Sequence, residues 1–395
     1  MAPSTLLTDL VGVTPHPSAS DISISKPLWV PSGARGVFGG QVIAQSLAAS
    51  ARTISSPLGL HSMHCYFLLP AFSNPDIEYR VERLRDGKSY SNRLVRAWQG
   101  EREVFVLLAS YTSPPTPLPK NFGSIPQNSS SSTKEGGNNA KMSNSLRFAL
   151  PQSASQSIKD ITNSTRQGVQ PKYQAPFPAN LRPWKECYTE ESRWQKFFDE
   201  RAANWTGARK KFLTEYIRER RESPVGIARA RYRSLEESQY EEAEDGAHHT
   251  RLSWLHARLG PDEKPDIETV KAMIAYMTDF QFIGTASRAV GLNQSSIPRI
   301  GMLASLDHSI HFYPFPENFD PSAPLLHVME AQSVDVASGR GMLQGRVYTQ
   351  EGDLIAVTAQ EGVVRADLKG LEAKGLVEGG VVGEDNGAKQ RKAKL

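Results

Sequence analysis

Three kinds of group in this sequence stand where they could do chemistry. The first is Asp279, the only carboxylate in VKAMIAYMTDFQF, set between Thr278 and Phe280. Ala272, Ile274, Ala275, Met277 and Phe280 do not alternate as a strand would, and their crowding predicts a helix buried on most sides. A carboxylate on such a helix costs on the order of several kcal/mol to desolvate unless partners compensate. Asp279 is therefore either a helix-terminal acid emerging into solvent or one kept for function. The second kind is histidine: His61, His64 and His308 lie in short strand-like runs and titrate near neutral pH. The third is GVFGGQ, which puts Gly39, Gly40 and Gln41 at the start of a helix. Unpaired N–H groups and the positive dipole end attract negative charge there, although glycines also permit a tight turn with close packing.

Other chemistries are excluded. No G-x-S-x-G elbow occurs, so a serine hydrolase of that type is disfavoured. GRGMLQG, residues 339 to 345, is followed by no helical pattern and is not a phosphate loop. With two cysteines, Cys65 and Cys187, there is neither a disulfide framework nor a multi-cysteine zinc site, and both are expected as buried free thiols. A net charge of +4, from 46 basic and 42 acidic residues, is too mild to argue for nucleic acid. No apolar stretch is long enough to span a membrane, and the acid and prolines of MAPSTLLTDLVGVTPHPSAS do not make a signal peptide.

The 395 residues, 39% of them hydrophobic, suffice for two ordinary domains. Between Ser113 and Tyr173 the composition shifts to Pro, Ser, Asn and Gly, as in PPTPLPKNFGSIPQNSSSSTKEGGNN. Such a stretch has little to bury and reads as a disordered linker over 114–170. The blocks on either side, 1–113 and 171–368, resemble each other. In the first, GVFGGQVIAQSLAASARTI is a helix followed by LHSMHCYFLLP, YRVERL, SYSNRLVRAW and EVFVLLASY. In the second, TVKAMIAYMTDF is the helix, followed by ASLDHSIHFYP, LLHVMEAQSV, GRGMLQGRVYTQ and GDLIAVTAQEGVVRA. One long helix followed by antiparallel strands, made twice, is an α+β architecture: a bent sheet around an apolar helix in each half.

Laying the halves together pairs His64 with His308 and Pro70 with Pro314, and sets Ser305 over His61 and Gln360 over Ser110. Acid, hydroxyl and amide then occur together only in the second half, which favours a functional Asp279. The equivalent places of His64 and His308 suit a structural histidine in each half.

The pieces VFGGQVIAQSL, LHSMHCYFLLP, LRDGKSYSNR, MTDFQFIGTA, SLDHSIHF and TAQEGVVR resemble the type II acyl-CoA thioesterases, over roughly residues 20 to 113 and 225 to 367. The resemblance implies a double hotdog, with two bent antiparallel sheets each wrapped around a long central helix. It places the acid, hydroxyl and amide of the family at Asp279, Ser305 and Gln360, with serine where bacterial members have threonine. In that reading Asp279 takes a proton from water attacking a thioester carbonyl, while Ser305 and Gln360 hold the water in one orientation. Gly39, Gly40 and Gln41 are the candidates for stabilising the oxyanion. The substrate implied is fatty acyl-CoA, with no cofactor or metal, and further self-association into a homo-oligomer is expected.

Two rival readings remain beside it. A hotdog enoyl-CoA hydratase would pair its acid with a histidine about five positions on, where this chain has Gly284. A non-catalytic acyl-CoA-binding protein would need a pocket and no acid. The segment from Ser192 to Ser223 departs from the family; its Trp194, Phe198, Trp205, Phe212 and Tyr216 predict an amphipathic helix packed on the second half. Arg209, Lys210 and Lys211 within it could alternatively meet the phosphates of coenzyme A. The last stretch, 369–395, reads as a flexible tail. Its final Ala393-Lys394-Leu395 resembles the tripeptide by which a peroxisomal import receptor recognises its cargo, an expectation of a peroxisomal matrix location.

Overall fold

The computed structural model describes residues 6–114, 173–231, 249–293 and 296–368. The 114–170 segment lies outside the described residues apart from Pro114, and the 369–395 tail lies outside them entirely. Residues up to Pro114 and from Phe177 onward form one compact unit. Its first half runs α1 (Leu7–Val11), β1 (Val13–His16), β2 (Ala19–Ser25), α2 (Gly39–Ala51), β3 (Gly59–Phe67), β4 (Glu78–Asp86), β5 (Tyr90–Gln99) and β6 (Arg102–Thr112). Two helices, α3 (Glu190–Arg201) and α4 (Gly207–Glu222), then precede β7 (Val225–Arg229), β8 (Thr250–Ala257), α5 (Ile267–Thr278) and α6 (Phe282–Ala289). The chain closes with β9 (Ile300–Ser305), β10 (Asp307–Phe312), β11 (Leu325–Asp335), β12 (Arg340–Tyr348) and β13 (Leu354–Ala366).

All strand pairs are antiparallel, and one sheet runs β1-β2-β4-β5-β6-β3-β10-β13-β12-β11-β8-β7, with β9 beside β13. The order reads alike outward from the β3–β10 seam, where Ser309 faces His64 and Ile310 faces Met63. Burial of one sheet face follows the period of two: in β5, Ser91, Arg93, Val95, Ala97 and Gln99 are buried in alternation. Against that face lie α2 and α5, each buried nearly all round, with Val42, Ile43, Leu47, Val270, Met273 and Ile274 in a single core. Asp266 starts α5 by accepting N–H bonds from Glu268 and Thr269, both at 2.9 Å.

Three readings of the sequence need correction. The second-half helix does not simply end after Phe280. Gln281 adopts a left-handed conformation with φ 63°, which stops α5 and lets α6 start in a new direction. The apolar residues of α6, Phe282 and Ala286, pack with Met329, Leu343 and Val364.

The internal overlay was out by one residue. Around His64, which is exposed with its ring 5.3 Å from that of His311, the β3 neighbours Met63 and Cys65 are buried; in β10 the buried side chains are His308, Ile310 and Phe312. Because side chains alternate between faces, an even overlay put inward residues on outward ones. An odd shift, setting His308 over Met63 and Gln360 over Ala109, keeps both pairs across from each other. The asymmetry survives, since Met63 and Ala109 are apolar where His308 and Gln360 are polar.

The charged segment forms α3 and α4, and it touches both halves. Glu219 of α4 accepts from the Ser32 N–H at 3.1 Å, and Glu191 of α3 pairs with Arg258. Arg209 and Lys211 lie on the exposed side of α4, with the Arg209 guanidinium 4.3 Å from the Trp205 ring centre. Of the two free thiols, Cys65 is buried and Cys187 is half-buried.

Candidate active site

Asp279 caps the C-terminus of α5, where the negative end of the helix dipole disfavours a carboxylate. Compensation comes from the other half of the molecule. The N-terminus of α2 abuts Asp279, and the Gly40 N–H donates to Oδ2 at 2.8 Å. The α2 N-cap is Phe38, whose side chain makes no capping bond, so Asp279 supplies the missing acceptor in its place. Such an approach requires glycine. A Cβ on Gly40 would lie 2.6 Å from the Tyr276 carbonyl oxygen, and one on Gly39 would lie 2.9 Å from Asp279 Oδ2.

Aromatic packing holds these helix ends together. Phe38 stacks on Phe280 at 4.3 Å and meets Tyr276 edge-on at 5.1 Å, with Trp29 5.5 Å from Phe38. The buried Arg220 guanidinium of α4 sits 4.9 Å from the Phe280 ring centre and 5.4 Å from that of Trp29. Gln41 Oε1 accepts from the Trp29 N–H at 2.9 Å, and its amide donates to the Pro27 carbonyl at 2.9 Å.

The other carboxylate oxygen, Oδ1, accepts from Gln360 Nε2 at 2.9 Å. The same amide nitrogen lies 3.1 Å from His308 Nδ1. Gln360 and His308 are fully buried, and Gln360 Oε1 has no hydrogen-bond partner among the described residues.

Ser305 reaches this face by an irregularity in its strand. Residues three apart, such as Ser305 and His308, point to opposite faces of a regular strand. Here β9 pairs Ser305 with Gly362, whereas β10 pairs Ser309 with Ala359, so the register against β13 shifts by one across Leu306. The shift puts Ser305 and His308 on the face that carries Gln360 and Gly362, as bulges beside reactive groups often do. No side-chain hydrogen bond joins Ser305 to Asp279 or Gln360 directly. The structure thus brings Asp279, Gln360 and Gly40 into contact and sets Ser305 on their face of the sheet.

Matches to known proteins now bear on this geometry. The N-terminal domain model of the acyl-CoA thioesterases matches residues 26–112, and the C-terminal domain model matches residues 173–364. The chain belongs to the type II acyl-CoA thioesterase family. It is 26% identical over 374 residues to acyl-coenzyme A thioesterase 8 of Rattus norvegicus, covering 94% of this chain and 92% of that protein. Against acyl-CoA thioesterase 2 of Haemophilus influenzae it is 29% identical over 334 residues, covering 84% and 89%. Among solved structures, an acyl-CoA thioesterase II of Mycobacterium marinum superposes with a TM-score of 0.56 at 19% identity, over 91% of this chain and 97% of that one. A protein of Alicyclobacillus acidocaldarius described as having a hot dog fold superposes on this chain with a TM-score of 0.50 at 14% identity, over 91% of this chain and 97% of that one, consistent with the large antiparallel sheet.

Within this family member the electrostatics follow from burial. Asp279 is raised from its ordinary value by desolvation, opposed by the bonds from Gln360 and Gly40. Desolvation alone lowers His308 to about 3, so it is neutral at physiological pH. His327 is likewise fully buried and lowered to about 3, by burial and then by His308. The Phe282 ring lies edge-on to both histidines, at 5.6 and 5.1 Å.

Of the three oxyanion candidates, Gly40 spends its N–H on Asp279, and the Gln41 side chain is occupied with the Trp29 and Pro27 backbone. Gly39 remains, with no partner for its amide among the described residues. Sequence reasoning missed the Arg220 clamp, because nothing in the sequence ties α4 to Phe280. It also missed the contact of His308 with Gln360, which the even overlay concealed.

Proposed function

We propose that the chain hydrolyses fatty acyl-CoA to a free fatty acid and coenzyme A at Asp279, Gln360 and Ser305, within a double hotdog. One observation carries the reading: a buried carboxylate held, among the described residues, by two neutral donors, one from each half, beside an amide oxygen with no partner among those residues. A carboxylate paired with a cation would be a poor base, whereas Asp279 keeps its basicity through burial. Water between Asp279 and Gln360 Oε1 can donate one hydrogen to each, with the Ser305 hydroxyl fixing it further. As its oxygen bonds to the thioester carbon, the proton passes to Asp279 and negative charge builds on the carbonyl oxygen, towards which the Gly39 amide is the remaining candidate donor. Collapse of that intermediate breaks the C–S bond. The electron pair leaves on sulfur, and the proton on Asp279 returns to the thiolate.

The test is release of free coenzyme A thiol from acyl-CoAs of graded length by the purified chain and by Asp279→Asn. The variant is expected to lose at least about a hundredfold in kcat, the low end of a general-base contribution. Near wild-type turnover in a folded Asp279→Asn protein would sink the mechanism.

Peroxisomal residence and self-association belong to the same proposal. The first is supported by the tripeptide Ala393-Lys394-Leu395, with the import receptor as partner. A fluorescent protein fused ahead of residues 384 to 395 should become punctate with peroxisomal markers; a diffuse signal removes the address and leaves the chemistry. Sedimentation of the purified chain decides between monomer and homo-oligomer.

A further inference from the structure

We infer that His308 is a positioning residue, fixing the Gln360 side-chain amide so that its carbonyl oxygen, and not its NH2 group, is turned towards the attacking water. The inference rests on the proposed function for its catalytic consequence, but the geometry behind it does not. An amide beside a carboxylate must present its NH2 group, and Gln360 Nε2 does so to Asp279 Oδ1 at 2.9 Å. That uses one of two amide hydrogens. The other points to His308 Nδ1 at 3.1 Å, which must then carry a lone pair. A histidine with its hydrogen on Nδ1, or a charged one, would set two donors against each other and pull Gln360 round. The neutral tautomer protonated at Nε2 is the one compatible with an ionised Asp279.

With both hydrogens committed, Gln360 has only Oε1 left to offer, and it is buried without a donor among the described residues. His308 itself is held by packing, since its buried Nε2 has no partner among the described residues: it lies in β10 across from Gln360, with Phe282 packed on its ring. The corresponding first-half pair, Met63 and Ala109, has no polar side chain to orient. That asymmetry matches the acid, which also occurs in one half only.

Two experiments test this. The first reads the tautomer by long-range 1H–15N correlation of the imidazoles in the full-length chain, with the His308 signal identified by its loss in His308→Asn. Wild type should show Nε2 protonated and Nδ1 bare. In Asp279→Asn the amide at position 279 can itself donate to Gln360 Oε1, so Gln360 should turn over and His308 should switch to the Nδ1-protonated form. A wild-type His308 protonated at Nδ1, or one indifferent to Asp279→Asn, overturns the inference.

The second reads kinetics. His308→Leu removes the acceptor and is expected to lower kcat about tenfold with KM within about twofold, because Asp279 still holds Gln360 from one side. Asn places an oxygen near the old Nδ1 position, so His308→Asn should recover most of that loss. In a Gln360→Ala background, His308→Leu should add nothing. Equal losses for Leu and Asn, or a full additional loss in the Gln360→Ala background, would make His308 a packing residue. A wild-type chain releasing no thiol would remove the proposed function, whereas the tautomer would still decide for or against the orientation of Gln360.

Discussion

Replacing Gly40 by alanine tests whether the two halves meet at Asp279 as tightly as the chemistry needs. The added Cβ would sit 2.6 Å from the Tyr276 carbonyl oxygen and 2.6 Å from the Phe38 ring, where 3.4 Å begins ordinary contact. Phe38 is stacked on Phe280, and the Tyr276 oxygen is helix backbone, so neither yields easily. The α2 and α5 ends must part by about 0.8 Å, and a similar displacement would carry the 2.8 Å bond from Gly40 N to Asp279 beyond hydrogen-bonding range. Overpacking costs about 1–3 kcal/mol and loss of a bond to a charged acceptor about 1.5–3 kcal/mol, so Gly40→Ala should lose roughly 3–5 kcal/mol of stability. Asp279 would keep only Gln360 as donor, so its acid form is favoured further. The acid limb of kcat/KM, where the base becomes protonated, should move to higher pH. Gly39→Ala is the comparison, since its Cβ meets two side chains, Asp279 and Phe67, each at 2.9 Å, and no backbone atom. It should cost less. Urea denaturation with a pH–rate profile for each variant reads both effects. Gly40→Ala with unchanged stability and an unshifted acid limb would refute the account of how Asp279 is held.

Ser305→Ala should lower kcat about tenfold, less than Asp279→Asn, because it removes one of several bonds to the water; Ser305→Thr should be mild, and both are read by thiol release. Stability should fall steeply below neutral pH. His308 and His327 each drop from 6.5 to about 3 on folding, so unfolding takes up their protons; the stability is present above about 6.5 and is lost as pH falls towards 3. By linkage, this amounts at pH 5 to on the order of 2 kcal/mol for each histidine. Asp279, raised by burial, acts in the opposite sense. Denaturation midpoints between pH 7.5 and 5 check the slope, which His327→Leu should reduce by about half.

Most of the frame was legible because it rests on periodicity. The buried helices carry apolar residues on most sides, and each sheet half alternates, so elements and their order could be read along the chain. Asp279 could be singled out because an acid in an apolar run is costly without a purpose, and Gln360 because the overlay of the halves and the family resemblance pointed to it. What could not be read depends on the backbone departing from its period. The one-residue shift across Leu306, which turns Ser305 and His308 to one face, leaves no mark in SLDHS. Gln281 in the left-handed region hides the break between α5 and α6, since glutamine is not a residue that announces such a turn. Contacts such as Arg220 with Phe280 join elements far apart in sequence, and residue type alone does not pair them.

The first half buries a cation beside the counterpart of Gln360. Arg93 lies across from Ala109 as Leu343 lies across from Gln360, and it reaches Thr53, two residues beyond the end of α2. Arg93 is 1% exposed, yet every guanidinium hydrogen has an acceptor. Its Nε donates to Thr53 Oγ1 at 2.7 Å, Nη1 to the Arg85 and Asn92 carbonyls, and Nη2 to the Thr53 carbonyl and the Asp86 carboxylate. A cation so fully bound has no hydrogen left to offer a substrate. If its role is structural alone, Arg93→Met should be costly to folding and silent in catalysis. Four of its acceptors are neutral oxygens, of which the buried ones would lose their donor, at about 1–3 kcal/mol each when no water reaches them. Asp86 is 56% exposed at its side chain and can turn to solvent at little cost. A net loss of about 3–5 kcal/mol is expected, from the buried Thr53 hydroxyl and carbonyl oxygens left without a donor. Chemical denaturation should show that loss, while kcat per folded molecule stays within about twofold of wild type. A folded Arg93→Met protein with kcat reduced tenfold would mean that the surroundings of Arg93 take part in the chemistry, and the assignment of a single site at Asp279 would have to be abandoned.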